Sequence, residues 1–295
     1  MVNYVLRRNR RKEIEQEKPT ERPVLMERVA QQAAQTDAQE DAVREALRAD
    51  IPAQPDLWAE LALIPVDGRQ MDENLIITAT RHDPAHATFD VLRTRLVQTL
   101  SEHGWRRVAI TSPTSGCGKS FVAMNLAITL SRYDNCRTVL MDMDMRSPSL
   151  AHILGLEDVG SLGDWLRGTR QTRQQFRRFA DNTLKIGKTL AVALNDKVEP
   201  YAAELLQKPE TKERLEQLDE QLSPDIVLFD LPPALAQDDV MALRHMYDGV
   251  FIVAGGGQTT AAEIRETMRR LGDDVPLLGV ILNKADGAPI EEYGY

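Results

Sequence analysis

The segment Gly-Cys-Gly-Lys-Ser at residues 116–120 has the composition of a phosphate-binding loop. Gly116 and Gly118 allow backbone N–H groups to turn toward phosphate oxygens, and a helix that starts directly after them adds its partial positive charge. Lys119 can reach the β- and γ-phosphates, and Ser120 offers a hydroxyl to Mg²⁺. The full GxxxxGK[ST] pattern has glycine at position 113, where this chain has proline. The residues predicted to line the bound nucleotide at this loop are Ser115, Gly116, Cys117, Gly118, Lys119, Ser120 and Phe121.

Three aspartates follow two further apolar runs. Asp142 and Asp144 end the run Val-Leu-Met-Asp-Met-Asp, and side-chain alternation along an extended chain places them on the same side. Asp230 follows Ile-Val-Leu-Phe, a pattern in which the carboxylate orients Mg²⁺ directly or through water. Carboxylates that converge on a phosphate site hold Mg²⁺ or accept a proton. Arg146 follows Asp144 by two residues and could pair with a phosphate or with a carboxylate.

The elements that must position these residues are short apolar runs alternating with longer helical segments. Nearly continuous apolar runs are typical of strands buried on both faces of a parallel sheet. Strands that alternate with helices indicate a doubly wound, mostly parallel α/β sheet, whose ligands bind beyond the carboxyl ends of the strands. We predict strands at 107–112, 138–142, 226–230, 249–254 and 277–283, and helices at 85–102, 119–131, 162–167, 202–221, 240–247 and 261–271.

The composition changes near residue 80, which suggests three parts. We predict a partly disordered or helical N-terminal arm at 1–80, a P-loop domain at 81–285 and a C-terminal tail at 286–295. Within the arm, residues 56–64 form a short amphipathic segment, which either packs onto the main domain or serves as a docking motif. Its apolar residues are Leu57, Trp58, Leu61 and Leu63.

Bulk composition excludes several classes of protein. The chain has 295 residues, a formal net charge of −9 and 42% hydrophobic residues, which is enough apolar material for a sizeable core. The negative charge argues against a nucleic-acid partner. No apolar run approaches the roughly 18 residues that a membrane span needs. The two cysteines, Cys117 and Cys136, show no metal-binding spacing, so we expect a reduced, cytoplasmic protein.

The motifs together resemble those of bacterial tyrosine kinases of the CpsD/CapB type, within the MinD/ParA group of P-loop ATPases. The resemblance covers roughly residues 82–295 and rests on four features. The first two are the Gly-Cys-Gly-Lys-Ser loop and the Asp-x-Asp-x-Arg motif at 142–146, which is followed by Pro148. The other two are the Asp-Leu-Pro-Pro run with Asp239 and the tail Tyr293-Gly294-Tyr295. It implies a P-loop fold and an ATP-dependent tyrosine kinase that phosphorylates its own C-terminal tyrosines.

The resemblance also implies roles for individual residues, with ATP and Mg²⁺ as cofactors. Asp142 would activate the tyrosine hydroxyl, and Asn283 would contact adenine. The implied catalytic residues are Lys119, Asp142 and Asp144; the metal ligands are Ser120, Asp144 and Asp230; the nucleotide contacts add Arg146 and Asn283 to the loop; the phosphoacceptors are Tyr293 and Tyr295.

A membrane-anchored polysaccharide co-polymerase or activator of the Wzz/CapA kind is the partner that the resemblance implies. It would hold the protein at the inner face of the cell membrane, where capsule and exopolysaccharide polymerisation and export are regulated. The family assembles through a Glu-x-x-Arg-x-x-Arg motif, but the corresponding positions here are Ala87, Asp90 and Arg93. Only the last is kept, so the resemblance leaves open whether identical chains assemble.

Two alternatives remain at this stage. A MinD/ParA-type regulatory ATPase without kinase activity shares most of the motifs, although Thr114 stands where those proteins have a signature lysine. A GTPase is suggested by Asn283-Lys284-Ala285-Asp286, which spells NKxD, but only nine residues follow the aspartate. A GTPase would need a further strand and helix there.

Overall fold

A computed structural model of the chain describes residues 56–285. Within them the core is an eight-stranded sheet with the order β1-β4-β5-β3-β6-β2-β7-β8. Neighbouring strands run parallel except β4 and β5, which are antiparallel. The strands are β1 Ala62–Ile64, β2 Arg107–Thr111, β3 Thr138–Asp142, β4 Phe176–Phe179, β5 Leu190–Ala193, β6 Ile226–Asp230, β7 Gly249–Gly255 and β8 Leu277–Asn283.

Helices cover both faces of this sheet. One apolar cluster contains α4, α5 and the residues of β2 and β3 that point toward them, and a second contains α7, α9 and α10 on the opposite side. The helices are α1 Leu57–Glu60, α2 Gly68–Glu73, α3 Ile77–Thr80, α4 His86–His103, α5 Lys119–Leu130, α6 Leu150–Ile153, α7 Leu162–Leu166, α8 Thr172–Gln175, α9 Ala202–Leu206, α10 Pro209–Leu222, α11 Asp239–Ala242 and α12 Ala261–Leu271, with a 3₁₀ turn at Arg244–Met246. The predicted doubly wound, mostly parallel α/β sheet is confirmed.

The functional residues end or follow the central strands of the sheet. Burial on both faces fixes the positions of these strands. All residues of β3 and β6 are buried, and β2 lies between β6 and β7. The five strands predicted from apolar runs are present, with ends that agree within one residue. The carboxyl ends of β2, β3 and β6 therefore meet at one edge, where the loop and the three aspartates lie.

Two predicted helices are interrupted. The segment predicted at 202–221 is two helices, α9 and α10, because Pro209 cannot donate a backbone hydrogen bond and begins a new helix after the extended residue Lys208. The segment predicted at 240–247 is the short helix α11 followed by the 3₁₀ turn. The strands β1, β4 and β5 were not predicted.

The folded unit begins at Leu57 and not at residue 81. Trp58 and Leu61 are buried against the second cluster, which confirms that the amphipathic segment packs onto the main domain, whereas Leu63 is exposed. Met71 and Ile76 are also buried. The short elements here are separated by proline and polar residues, so they show no sustained periodicity in the sequence.

The remaining arm, residues 1–55, and the tail with Tyr293 and Tyr295 lie outside the described residues. Within residues 56–285, no helix combines the length and the apolar character that crossing a membrane requires.

Candidate active site

The phosphate loop connects β2 to α5, and its backbone is shaped by two glycines. Gly116 and Gly118 have φ angles of +82° and +89°, in the left-handed region that glycine adopts without strain. A Cβ atom at Gly118 would also collide with the side-chain amide of Asn283. Within the described residues, the N–H groups of Gly116, Cys117 and Gly118 donate no hydrogen bond. The loop therefore presents three free donors at the start of α5, as an anion site requires.

Lys119 lies between two carboxylates. Its Nζ is 2.7 Å from Asp144 Oδ2 and 3.7 Å from Asp230 Oδ1, and it donates to Ser120 Oγ at 3.2 Å. Burial alone lowers the pKa of Lys119, but the charges of Asp230 and Asp144 outweigh burial and raise it. Lys119 therefore stays protonated at neutral pH and faces the acids that were predicted to converge on it.

Asp142 and Asp230 are cross-strand partners at the carboxyl ends of β3 and β6, and both have 0% exposure. Asp142 Oδ2 accepts backbone hydrogen bonds from Ser149 and Leu150 at 3.1 and 3.0 Å. Asp142 Oδ1 and both carboxylate oxygens of Asp230 have no hydrogen-bond partner within residues 56–285. Of these three buried acceptor atoms, Asp230 Oδ1 has the ion pair with Lys119, and the other two have no partner among the described residues.

Burial and the charge of a neighbouring carboxylate raise the pKa of both Asp142 and Asp230. For Asp142, burial and then the charge of Asp230 raise the pKa well above its usual value, against the opposing effect of the Leu150 N–H and Lys119. For Asp230, burial raises the pKa, and Lys119 opposes the shift. Perturbed pKa values of this kind are common at sites that move protons or bind metal ions.

The acids and Ser120 can hold Mg²⁺ in the way that nucleotide sites do. Within the described residues no cluster of three or more metal-ligating side chains forms a site of its own. Mg²⁺ is commonly held by one or two carboxylates together with phosphate oxygens and water. The partnerless oxygens of Asp230, the adjacent Asp144 and the hydroxyl of Ser120 fit that requirement. Ser120 Oγ is held by a hydrogen bond from Ser149 Oγ at 2.9 Å, a contact that the sequence did not predict.

Arg146 is paired with a carboxylate. Its Nε donates to Asp239 at 2.9 Å, and its Nη1 donates to the carbonyl of Pro200 at 2.7 Å. Asp239 is fully buried, so it fixes the guanidinium by a charge-assisted hydrogen bond. Of the two pairings left open by the sequence, the structure has the one with a carboxylate, and the nucleotide contact of Arg146 stays a prediction.

Asn283 lies at the end of β8, against the loop. Its Nδ2 donates to the Cys117 carbonyl at 2.9 Å, while its Oδ1 makes no hydrogen bond within the described residues. Beside it is an apolar cavity of about 130 Å³. Its lining includes Phe89, Leu92, Phe121, Ile281 and Asn283, so the predicted contacts Phe121 and Asn283 meet at one place.

Two residues at the loop were not predicted from the sequence. Gln258 Nε2 donates to the Ser115 carbonyl at 2.6 Å, and Lys284 Nζ donates to the Gly116 carbonyl at 2.8 Å. Both follow strands, β7 and β8, that lie on the β2 side of the sheet. Each residue follows a predicted strand, which is the one sequence signal for its place near the site. That signal identifies a contact with the loop only once the order of the strands in the sheet is known.

Comparisons with known proteins identify a nucleotide-binding family. The family model described as the CobQ/CobB/MinD/ParA nucleotide binding domain matches residues 108–293. The chain is 32% identical over 228 residues to the putative tyrosine-protein kinase EpsB of Ralstonia solanacearum, covering 77% of this chain and 29% of EpsB. It is 29% identical over 231 residues to the tyrosine-protein kinase YwqD of Bacillus subtilis, covering 77% of this chain and 93% of YwqD. The chain thus spans less than a third of EpsB.

Solved structures of tyrosine kinase domains have the same fold. The BceF tyrosine kinase domain aligns with a TM-score of 0.61 at 26% identity, covering 75% of this chain and 91% of that one. The kinase domain of the Escherichia coli tyrosine kinase Etk aligns with a TM-score of 0.63 at 24% identity, covering 83% of this chain and all of that one, and supports the fold. The resemblance to bacterial tyrosine kinases inferred from the motifs is confirmed.

Proposed function

Because this chain belongs to the CobQ/CobB/MinD/ParA family of nucleotide-binding domains, we propose that it is an ATP-dependent protein tyrosine kinase. One observation carries the proposal: Lys119 sits between Asp144 and Asp230, while Asp142 presents a buried, partnerless oxygen at the same strand ends. A cation for phosphate, carboxylates for a metal ion and a separate base are the parts that phosphoryl transfer to a hydroxyl needs. The similarity to EpsB and YwqD supports tyrosine as the acceptor.

Nucleotide binding is assigned to the loop and its surroundings. The free N–H groups of Gly116, Cys117 and Gly118 bind phosphate oxygens, and Lys119 adds a positive charge. Asn283 Nδ2 is already bonded to the loop, so its Oδ1 is the atom left to accept from an amino group of the base. Adenine carries an amino group where guanine carries a carbonyl, so this orientation favours ATP over GTP.

The metal and the base are assigned to different aspartates. Ser120, Asp144 and Asp230 hold Mg²⁺. Bound Mg·ATP supplies the phosphoryl group and the charge neutralisation for its transfer. Asp142 accepts the proton of the tyrosine hydroxyl at its free Oδ1, while its Oδ2 is fixed by two backbone N–H groups. Its raised pKa makes it a better proton acceptor than an ordinary aspartate.

Tyr293 and Tyr295 are the proposed acceptors. The last described strand ends at Asn283, in contact with the phosphate loop. Ten further residues, 286–295, can span at most about 33 Å when extended. This length allows the tail to enter the site of a second chain without the sharp reversal that entry into its own site demands.

The cellular role is proposed from the resemblance. A membrane-anchored polysaccharide co-polymerase of the Wzz/CapA kind would recruit the chain to the inner face of the cell membrane. Phosphorylation of the tail would then regulate capsule or exopolysaccharide polymerisation and export.

A regulatory ATPase without kinase activity is the second candidate. One observation favours it: Asp90 is bonded to Arg81 at 2.6 Å and to Arg93 at 3.3 Å, so the remnant of the family's assembly motif is used within the chain. A kinase that acts between chains needs them to meet, and a chain that cannot assemble would hydrolyse ATP without modifying a tail.

One experiment separates the two candidates. Dephosphorylated full-length protein is incubated with Mg·ATP, and phosphotyrosine and inorganic phosphate are measured in parallel. The kinase predicts phosphate on Tyr293 and Tyr295 that disappears in the Asp142→Asn variant. Release of inorganic phosphate with no phosphotyrosine on the tail would instead establish the regulatory ATPase.

A further inference from the structure

Three consecutive carbonyl groups of the phosphate loop each accept a hydrogen bond from a side chain at the end of β7 or β8. Gln258 Nε2 donates to Ser115 O at 2.6 Å, and Lys284 Nζ donates to Gly116 O at 2.8 Å. The third donor is Asn283 Nδ2, on the carbonyl of Cys117 at 2.9 Å. We propose that Gln258 and Lys284 are positioning residues, which hold these carbonyls away from the nucleotide so that the loop N–H groups can bind phosphate.

The geometry of the peptide bond supports this role. In a trans peptide the C=O of one residue and the N–H of the next point in opposite directions. Fixing the carbonyls of residues 115–117 toward the strand ends therefore turns the N–H groups of Gly116, Cys117 and Gly118 the other way. Those three N–H groups have no partner within the described residues, as expected of donors kept free for an anion.

The strand ends that supply the donors are themselves fixed. The N–H of Gly256 donates to Asn283 O at 2.7 Å, which joins the end of β7 to the end of β8. A Cβ atom at Gly256 would come within 2.6 Å of the Lys284 carbonyl, so only glycine allows this approach. Lys284 has a φ of +55°, an uncommon backbone conformation for a lysine, and its side chain reaches Gly116 from there. Uncommon backbone conformations of this kind cluster at functional sites.

The consequence for binding follows from electrostatics. A carbonyl that rotates toward the phosphates would place a partial negative charge against an anion and remove an N–H donor. Loss of one external hydrogen bond is expected to weaken Mg·ATP binding by about fivefold to tenfold, the size of one net hydrogen bond. The inference rests on the nucleotide-binding part of the proposed function and is independent of whether the phosphate goes to tyrosine or to water.

The test uses full-length protein and calorimetric titration with Mg·ATP. Gln258→Met and Lys284→Met remove one donor each with little change in side-chain length, and Lys284→Arg keeps a donor and the charge. Lys212→Met is the matched control, because Lys212 is an exposed lysine on α10 whose ion pair with Glu216, at 3.7 Å, is a surface contact.

The positioning role predicts four results together. Gln258→Met and Lys284→Met raise the Kd for Mg·ATP about fivefold to tenfold, and Lys284→Arg restores at least part of the affinity. The KM for ATP rises in parallel, while kcat stays within about twofold because the reacting groups are not touched. The Tm of the nucleotide-free variants stays close to that of the wild type. Lys212→Met behaves as the wild type.

Several outcomes would overturn the inference. Unchanged affinity in both Met variants, with normal binding by the wild type, rejects it and leaves the proposed function in place. A loss confined to Lys284→Met that vanishes at high salt shows only long-range attraction of phosphate. A fall in Tm that matches the loss of affinity shows a general structural role. Failure of the wild type to bind Mg·ATP would overturn both the inference and the proposed function.

Discussion

Asp142 and Asp230 stand side by side on adjacent parallel strands, both fully buried, with Lys119 as a shared counter-charge. Burial raises the pKa of both carboxyls, the charge of Asp230 adds to the shift at Asp142, and the charge of Asp144 adds to the shift at Asp230. Bound metal would relieve the repulsion among these charges. The nucleotide-free fold therefore stores an electrostatic penalty at the place where Mg·ATP is proposed to bind.

The first prediction concerns Asp142→Asn. The folded-state pKa of Asp142 lies above its unfolded value of 3.8, so its ionisation destabilises the fold as pH rises through the folded pKa. Removing the charge should raise the Tm of the nucleotide-free protein by about 3 °C at pH 7.5, the change that 1 kcal/mol produces in a domain of this size. Phosphoryl transfer should fall by at least about 100-fold because the proposed base is lost.

The pH dependence is the control for this stabilisation. The gain in Tm should shrink as pH falls toward 3.8, where the carboxyl is protonated in both states. Differential scanning calorimetry between pH 4.5 and 8 measures it. A gain that is constant with pH, or full kinase activity in the variant, would show that Asp142 does not have the assigned role.

The second prediction concerns Lys119→Met. The folded-state pKa of Lys119 is raised, so its stabilising contribution is complete at neutral pH and is lost only as pH rises through the folded pKa. Its removal leaves Asp144 and Asp230 buried without a cation, which should lower the free energy of unfolding by about 3 kcal/mol at pH 7.5.

Urea denaturation at two pH values tests this prediction. The deficit should be smaller at pH 5, because the raised pKa of Asp230 favours its protonation there and protonation removes part of the unpaired charge. Mg·ATP binding should weaken at both pH values. An unfolding free energy equal to that of the wild type at pH 7.5 would contradict the shared-cation arrangement.

The third prediction concerns Gly118→Ala. Alanine at a φ of +89° is strained by about 1–2 kcal/mol, and its Cβ would displace the Asn283 amide from the loop. We expect both a loss of stability and a loss of Mg·ATP affinity of at least about tenfold.

Gly168→Ala is the matched control. Gly168 has a φ of +76° and no atom within 4 Å of the position that a Cβ would take, so this variant carries the backbone strain alone. It should lose similar stability and keep wild-type nucleotide affinity by calorimetric titration. Equal loss of affinity in both variants would mean that the Asn283 contact with the loop is unimportant.

The fourth prediction concerns assembly. Arg93 donates to the carbonyl of Thr129 at 3.3 Å and lies 4.6 Å from the ring centre of Tyr133, besides its pairing with Asp90. Because these groups are bonded within the chain, the free protein should be a monomer or a small oligomer by light scattering at micromolar concentration. Arg93→Ala should lower the free energy of unfolding by about 1 kcal/mol without changing the molar mass that light scattering measures. A wild-type assembly larger than a small oligomer at micromolar concentration, or one that dissociates in Arg93→Ala, would contradict this prediction.

The sequence predicted the strands that are buried on both faces, because continuous apolar runs such as Ile-Val-Leu-Phe have few alternatives. It missed β4, which reads Phe-Arg-Arg-Phe, because two arginines interrupt the apolar pattern. It missed β1 and β5 because three or four residues are too few to show a period. It also missed the break at Pro209 in one predicted helix, because the amphipathic pattern of that segment continues on both sides of the proline.

The candidate site was predictable where its residues are close in the chain or follow strands with a clear apolar pattern. The spacing of Gly118, Lys119 and Ser120 defines the loop, and Asp142 and Asp230 converge because parallel strands end at one edge. Gln258 and the pairing of Arg146 with Asp239 were not predictable, because they depend on which strands are neighbours and on long-range pairing.

Phosphate transfer from the active site to the tail tyrosines is measured most directly by mass spectrometry of phosphotyrosine in a mixed reaction. A chain with Tyr293→Phe and Tyr295→Phe, which keeps the active site, is mixed with an Asp142→Asn chain, which keeps the tail, and Mg·ATP is added. Transfer between chains predicts phosphate on Tyr293 and Tyr295 of the Asp142→Asn chain, and none when that chain is incubated alone. A tail that stays unmodified in the mixture, while ATP is consumed, would contradict it.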